Sequence, residues 1–102
     1  MVKINWSIKA SNDIEAICNY IEQDSPNYAR IFTQNILYAI EKLSDFPEIG
    51  RIVPEFRNPI LKEILFKSYR IIYRVIKEEL DIKEIEIVKI FHGSRLLSNK
   101  DL

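Results

Sequence analysis

The chain has 102 residues, 47% of them hydrophobic, with one cysteine and fifteen basic side chains against fifteen acidic ones. That length supports one compact domain over residues 1–102 and no second core, and a lone thiol forms no internal disulfide. No apolar run approaches the roughly 20 residues of a membrane helix, and zero net charge argues against nucleic-acid binding through overall positive charge.

The N-terminus MVKINWSIK has neither an apolar h-region nor a small-residue cleavage site, so the expectation is a cytoplasmic protein with no membrane partner. Charge is uneven along the chain. Residues 1–48 hold four Lys/Arg and seven Asp/Glu, a net of −3, whereas residues 49–102 hold eleven and eight, a net of +3.

Val2 to Trp6 alternates apolar and polar side chains and reads as a short first strand. Ser7 follows as a cap. Ala10, Ile14, Ile17, Cys18 and Ile21 recur at helical spacing, which predicts an amphipathic helix ending near Asp24. Cys18 falls on its apolar stripe, a position that favours an inert core thiol over a reactive one. Ser25-Pro26 restarts the helical pattern, because serine caps and proline at the first helical position loses no intrahelical bond. Ala29, Phe32, Ile36, Ala39, Ile40 and Leu43 then form a second stripe. Ile31, Leu37 and Tyr38 lie outside it and widen the apolar arc; packing on a sheet is the favoured use of that arc, a partner surface the other.

Phe46-Pro47 ends the second helix. Residues 47–59, PEIGRIVPEFRNP, read as a long ordered loop pinned by Ile52, Val53 and Phe56, leaving Arg51 and Arg57 to solvent or a partner. From Leu61 to Val75, apolar and aromatic residues alternate and pair, which predicts two strands around Lys67-Ser68. Neither turn residue is the Asn or Gly of a two-residue primed turn, so a longer turn is expected. On the second strand Tyr69, Ile71, Tyr73 and Val75 share one face, and Arg70, Ile72, Arg74 and Ile76 the other. KEELDIKE reads as a charged connection. Ile85 to Phe91 is a further strand with apolar residues on both faces, and HGSRLLSNKDL is expected to fray at its tip. The sum is an α+β fold: an N-terminal strand, an antiparallel two-helix hairpin and a three-stranded antiparallel meander.

The residues with chemistry to offer are Arg51, Arg57, Lys62, Glu63, Arg70, Arg74, His92 and Arg95. One His and one Cys cannot make a typical tetrahedral metal set, and Gly50 and Gly93 make no phosphate loop, so neither metal nor cofactor is expected. What remains is recognition, or metal-free acid–base cleavage of a phosphodiester. In the second case His92 would move the proton, Arg70, Arg74 and Arg95 would hold the phosphate, and Glu63 or a tyrosine would be the second titrating group.

Five motifs in order, Trp6-Ser7 leading into Ala10, Asp13 and Ile14, then F-P-E-I-G-R at 46–51, K-E-I at 62–64, Y-R-I-I-Y-R-V at 69–75 and F-H-G-S-R at 91–95, closely resemble the ParE/RelE toxin superfamily of type II toxin–antitoxin and plasmid-stabilisation modules. The match runs over nearly the whole chain. The resemblance implies a toxin neutralised by a cognate antitoxin that wraps its surface. The ParE-like branch poisons DNA gyrase without being a nuclease; the RelE-like branch cuts mRNA on the ribosome. Arg70 matches a phosphate-binding position of the RelE-like nucleases, Arg95 falls close to a second basic one, and His92 lies near a C-terminal histidine of related nucleases. The chain departs from the nuclease pattern in lacking a dense Lys/Arg set before the hairpin and an aromatic residue after Arg95. Its F-P-x-I-G-R loop and H-G-x-R ending look more like the ParE group. The expectation is therefore a gyrase inhibitor whose contacts include Arg51, Arg57, Lys62 and Arg74; the alternative is an endoribonuclease with Arg70, His92 and Arg95 in its site.

Overall fold

A computed structural model describes all 102 residues. Strand β1 (Lys3–Trp6) leads into helix α1 (Ile8–Asp24) and helix α2 (Pro26–Glu41), followed by a 3-10 turn at Lys42–Ser44. Strands β2 (Arg51–Ile52), β3 (Leu61–Phe66), β4 (Tyr69–Glu78) and β5 (Asp81–His92) complete the domain, with a final 3-10 turn at Asn99–Asp101. The α+β class and the helical hairpin are as expected, and β3, β4 and β5 form the antiparallel meander. The sheet is larger than the expectation. Its order is β1-β5-β4-β3-β2, with β1 parallel to β5 at one edge and the two-residue β2 antiparallel to β3 at the other.

Both helices begin where the sequence says. Ser7 Oγ accepts from Ala10 N at 3.0 Å and Ser25 Oγ from Tyr28 N at 3.1 Å, each satisfying a backbone donor that has no partner within the helix. Ser7 also ties the helix to the sheet, its N–H donating to Ile87 O and its hydroxyl to Val88 O. Beyond Trp6 strand β1 no longer covers the edge of β5, and Asp13 takes over. Its carboxylate accepts from Ile90 N and from Lys89 Nζ, each at 2.9 Å. Cys18 is half-buried, with Sγ 2.9 Å from Thr33 Oγ1 between the helices.

Two cores form, one on each side of the sheet. Under the helices, Ala10, Phe32, Ile36, Ile40 and Leu43 meet Ile71, Tyr73, Val75, Ile85, Ile87 and Ile90. On the back, Ile72, Leu61, Val88 and Phe91 are covered by Val53 and Leu97. The register between β4 and β5 slips after Ile72, leaving Val88 as an extra residue on β5. That bulge lets Ile87 and Ile90 face the helices while Val88 and Phe91 face the back.

Four local expectations are corrected. The wide arc of α2 is not core: Ile31, Leu37 and Tyr38 are 39%, 38% and 62% exposed. The Lys67-Ser68 turn is two residues long, since Phe66 pairs with Tyr69, and Lys67 takes the left-handed conformation (φ 52°) that favours Gly or Asn. KEELDIKE is mostly strand; β4 and β5 run on as a two-stranded ribbon closed by Glu79-Leu80, with Glu79 at φ 59°. The C-terminus is docked, because Leu97 is buried, Ser98 and Asp101 form a reciprocal cap, and Lys9 Nζ donates to main-chain oxygens of Lys100 and Leu102.

Gly50 is held by a close approach. A Cβ there would lie 2.6 Å from Glu63 O and 2.6 Å from Tyr73 Oη, and its N–H donates to that same hydroxyl at 2.9 Å. Gly50→Ala is therefore expected to cost about 1–3 kcal/mol, as overpacking against backbone does; an unchanged urea midpoint for the variant would refute the close approach.

Candidate functional site: a buried charge chain beneath an open cleft

Three neighbouring strands set the site. Arg51 on β2 stands directly across from Glu63 on β3, and Glu63 is diagonal to Arg70 on β4, since Leu65 is the partner of Arg70. Cross-strand partners share a face, so all three project from the back of the sheet. Glu55 arrives from the loop after β2.

The guanidinium of Arg70 has five N–H groups, and every one is used. Nη1 and Nη2 each reach a Glu55 oxygen at 2.7 Å in a bidentate pair. Nε and Nη2 reach Glu63 Oε1 at 2.8 and 2.6 Å, and Nη1 also donates to Arg95 O at 3.3 Å. Glu63 divides its oxygens: Oε1 serves Arg70, and Oε2 accepts from Arg51 Nε at 2.6 Å. Glu55 Oε2 additionally accepts from Leu97 N at 3.0 Å, which fixes the C-terminal segment. Arg70 is 5% exposed and Glu63 1%. Phe91 backs the cluster, with the Arg70 guanidinium 5.1 Å from its ring centroid.

The result is an alternating chain, Arg51–Glu63–Arg70–Glu55, of zero net charge. The hydrogen bonds from Arg70, helped by Leu97 N and opposed by burial, hold the Glu55 carboxyl down at about 2. The same bonds to Glu55 and Glu63 raise Arg70 above its ordinary value. Arg70 thus differs from the expectation of a cation open to phosphate, because its charge and all its donors are spent inside the protein.

Above this cluster lies an open cleft of about 630 Å³ between the β3–β4 turn and the turn at Gly93–Leu96. Arg51, Lys67, Tyr69 and His92 line it, with Pro54, Leu65 and Leu96 as apolar walls. His92 is exposed at the end of β5, its ring edge-on to Tyr69 at 5.9 Å and its Nδ1 2.8 Å from Ser94 Oγ. Tyr69 is half-buried, and that burial, followed by its neighbours Tyr20, Cys18 and Tyr28, raises its hydroxyl pKa.

The other sequence candidates scatter. Arg95 contributes its carbonyl to Arg70, but its guanidinium pairs with Asp101. Arg74 shares the back face with Arg70 yet pairs with Glu86 at 2.7 Å. Lys62 stands opposite Tyr73 and so projects from the helix side of the sheet. Arg57 is exposed on the loop, at φ 51°, with no ion pair. Arg70 and His92 therefore share one cleft, whereas Arg57, Lys62 and Arg74 belong to other surfaces. Glu55, Lys67, Leu65 and Leu96 escaped the sequence reading. The signal for Glu55 was a carboxylate between Pro54 and the pinning residue Phe56, near an arginine that needed a counter-charge.

A family model described as the ParE toxin of type II toxin–antitoxin systems, parDE, matches residues 4–97. The toxin RelE2 of Caulobacter vibrioides is 29% identical over 96 residues, covering 94% of this chain and all of that one. Among solved structures, a chain of the chromosomal ParDE system from P. aeruginosa superposes with a TM-score of 0.71 at 24% identity, over 90% of this chain and 96% of that one. That likeness shows a shared fold.

A carboxyl held low in the folded state stabilises the protein at any pH above its unfolded value, and this contribution is lost as the pH falls through the folded value. For Glu55 the window runs from its ordinary 4.5 down to about 2. Glu55→Gln is expected to lower the thermal midpoint at neutral pH and to flatten the acid-induced fall between pH 4.5 and 2. Parallel melting curves of variant and wild type through that window would contradict the assigned pairing.

Proposed function

Because this chain belongs to the ParE toxin family of type II toxin–antitoxin systems, we propose that it is the toxin of such a module, that it acts by binding and blocking DNA gyrase, and that a cognate antitoxin neutralises it. The observation that carries the choice of mechanism is the complete use of Arg70. The RelE-like nucleases that the chain resembles use that position for phosphate, and here all five donors of the Arg70 guanidinium serve Glu55, Glu63 and a carbonyl. Removing it from two largely buried carboxylates costs about 3–5 kcal/mol, which lowers the competent population by roughly two to nearly four powers of ten. Glu55 makes a poor general base near neutral pH with its pKa at about 2. The titrating group beside His92 is Tyr69, with ring centroids 5.9 Å apart, and burial raises the pKa of that hydroxyl.

The antitoxin has a seat on the helices. Tyr28, Ile31, Asn35 and Tyr38 follow one another at helical spacing along the outer face of α2, and all four are exposed. An exposed row of this kind suits the apolar face of an amphipathic helix. The expected phenotype of Ile31→Asp with Tyr38→Asp is retained toxicity with weakened neutralisation. Unimpaired neutralisation of the double variant would remove α2 from the antitoxin contact.

Purified protein is expected to inhibit gyrase supercoiling of relaxed plasmid while leaving mRNA uncut in primer-extension assays after induction. The RelE-like reading rests on His92 lying in the cleft. Ribosome-dependent cuts with unimpaired supercoiling would establish it and overturn the gyrase reading.

A further inference from the structure

The cleft above the buried charge chain differs from a nucleic-acid groove in both charge and lining. Three cations, Arg51, Lys67 and Arg70, and two carboxylates, Glu55 and Glu63, lie in it or directly beneath it, a surplus of one positive charge among these five. One bound carboxylate balances that surplus, whereas a strand of RNA would bring a negative charge with every phosphate. The two rim cations still have donors to give. Arg51 uses Nε and Nη2 on Glu63, and no bond engages its Nη1. Lys67 makes no ion pair and leans over the Phe66 ring, its position set by the left-handed turn residue itself.

The walls of the cleft are apolar as well as charged. Leu65, on β3, is 62% exposed and Leu96, in the segment after β5, is 79% exposed, and both line the cleft. Two exposed leucines facing one opening are suited to receive an apolar side chain, and they offer nothing to a phosphate.

We infer that this cleft docks a short protein segment in which an Asp or Glu lies next to a large apolar side chain. The carboxylate meets Arg51 and Lys67, and the apolar side chain enters between Leu65 and Leu96. This inference deepens the binding-toxin reading and rests on it, the segment being part of the toxin's target. The buried chain beneath acts as a rigid, neutral floor, so that the rim alone selects the ligand.

A random heptapeptide library displayed on phage and selected on the full chain tests the idea without gyrase. Enriched peptides are expected to place Asp or Glu beside Leu, Ile or Phe, and to lose at least tenfold in affinity when that acid becomes Gln. Lys67→Glu and Leu96→Asp, both at exposed positions, are each expected to weaken the same peptides at least tenfold, while Arg30→Glu on α2 leaves them within twofold. Enriched peptides without an acid, or with equal affinity for the Lys67→Glu and Leu96→Asp proteins, overturn the inference. So does a ten-nucleotide single-stranded RNA that displaces the peptides with a steep salt dependence. Gyrase inhibition without cleft-dependent peptides sinks only the cleft assignment; cleft-dependent peptides without gyrase inhibition sink only the choice of target.

Discussion

A guanidinium can be taken out of water only if its charge and its donors are all met, because each lone deficit costs kilocalories in a low-dielectric interior. Arg70 meets that condition through two carboxylates, one carbonyl and the face of Phe91. The partners come from separate parts of the chain: Glu63 from β3, Glu55 from the loop after β2, and the Arg95 carbonyl from the C-terminal segment. Satisfying one side chain therefore fixes the positions of three others. The short strand β2 and the docked terminus, neither of which could hold its place by its own few contacts, are organised by this cluster and by the small core of Val53, Leu61, Ile72, Val88, Phe91 and Leu97 beside it. No buried side-chain nitrogen or oxygen is left without a partner.

The helices and main strands were legible because their signals are local. Ser7 and Ser25-Pro26 cap where they stand, and the stripe from Ala29 to Leu43 needs only a period to be recognised. The direction of Arg70 was legible for the same reason, since alternation places it on the face opposite Tyr69 and Tyr73. What covers that face was not, because Glu55 lies fifteen residues away in sequence and reaches Arg70 only once the loop has folded over the sheet. Strand β2 escaped notice because two residues carry no alternation. The ribbon at Glu78–Asp81 escaped because, beyond the helices, its strands bury almost nothing and so have no apolar pattern to show. The arc at Ile31 and Tyr38 misled in the opposite sense: apolarity signals burial, and whether the cover is the same chain or another is not written in it.

These features divide the molecule by the kind of contact each side can make. The outer face of α2 offers aromatic and aliphatic surface at helical spacing, with charge at its margins. The cleft at the far edge of the sheet offers a single surplus cation, two donors at its rim and two leucines. The two surfaces lie on different layers of the fold, one on the helices and one on the strand edge, so engagement of the first need not compete sterically with the second. Neutralisation by a partner on α2 would then act either by covering more of the chain than the helix alone or by reaching around the edge.

The zero net charge combines matched ion pairs with cations that make no salt bridge. In the second half of the chain Arg70 pairs with Glu55 and Glu63, Arg51 with Glu63, Arg74 with Glu86 and Arg95 with Asp101, so these cations are matched by carboxylates of the same half and its surplus of positive charge lies on other side chains. A chain of zero net charge has little long-range field with which to gather a polyanion, and the steering that raises encounter rates is correspondingly weak. Selectivity in the inferred cleft would then come from short-range fit. Its rim has Lys67 on a two-residue turn, Arg51 bonded to a buried glutamate and Leu65 on a paired strand. In the inferred cleft the ion cluster beneath would contribute by fixing Arg51, which is bonded to Glu63, while its own charges cancel.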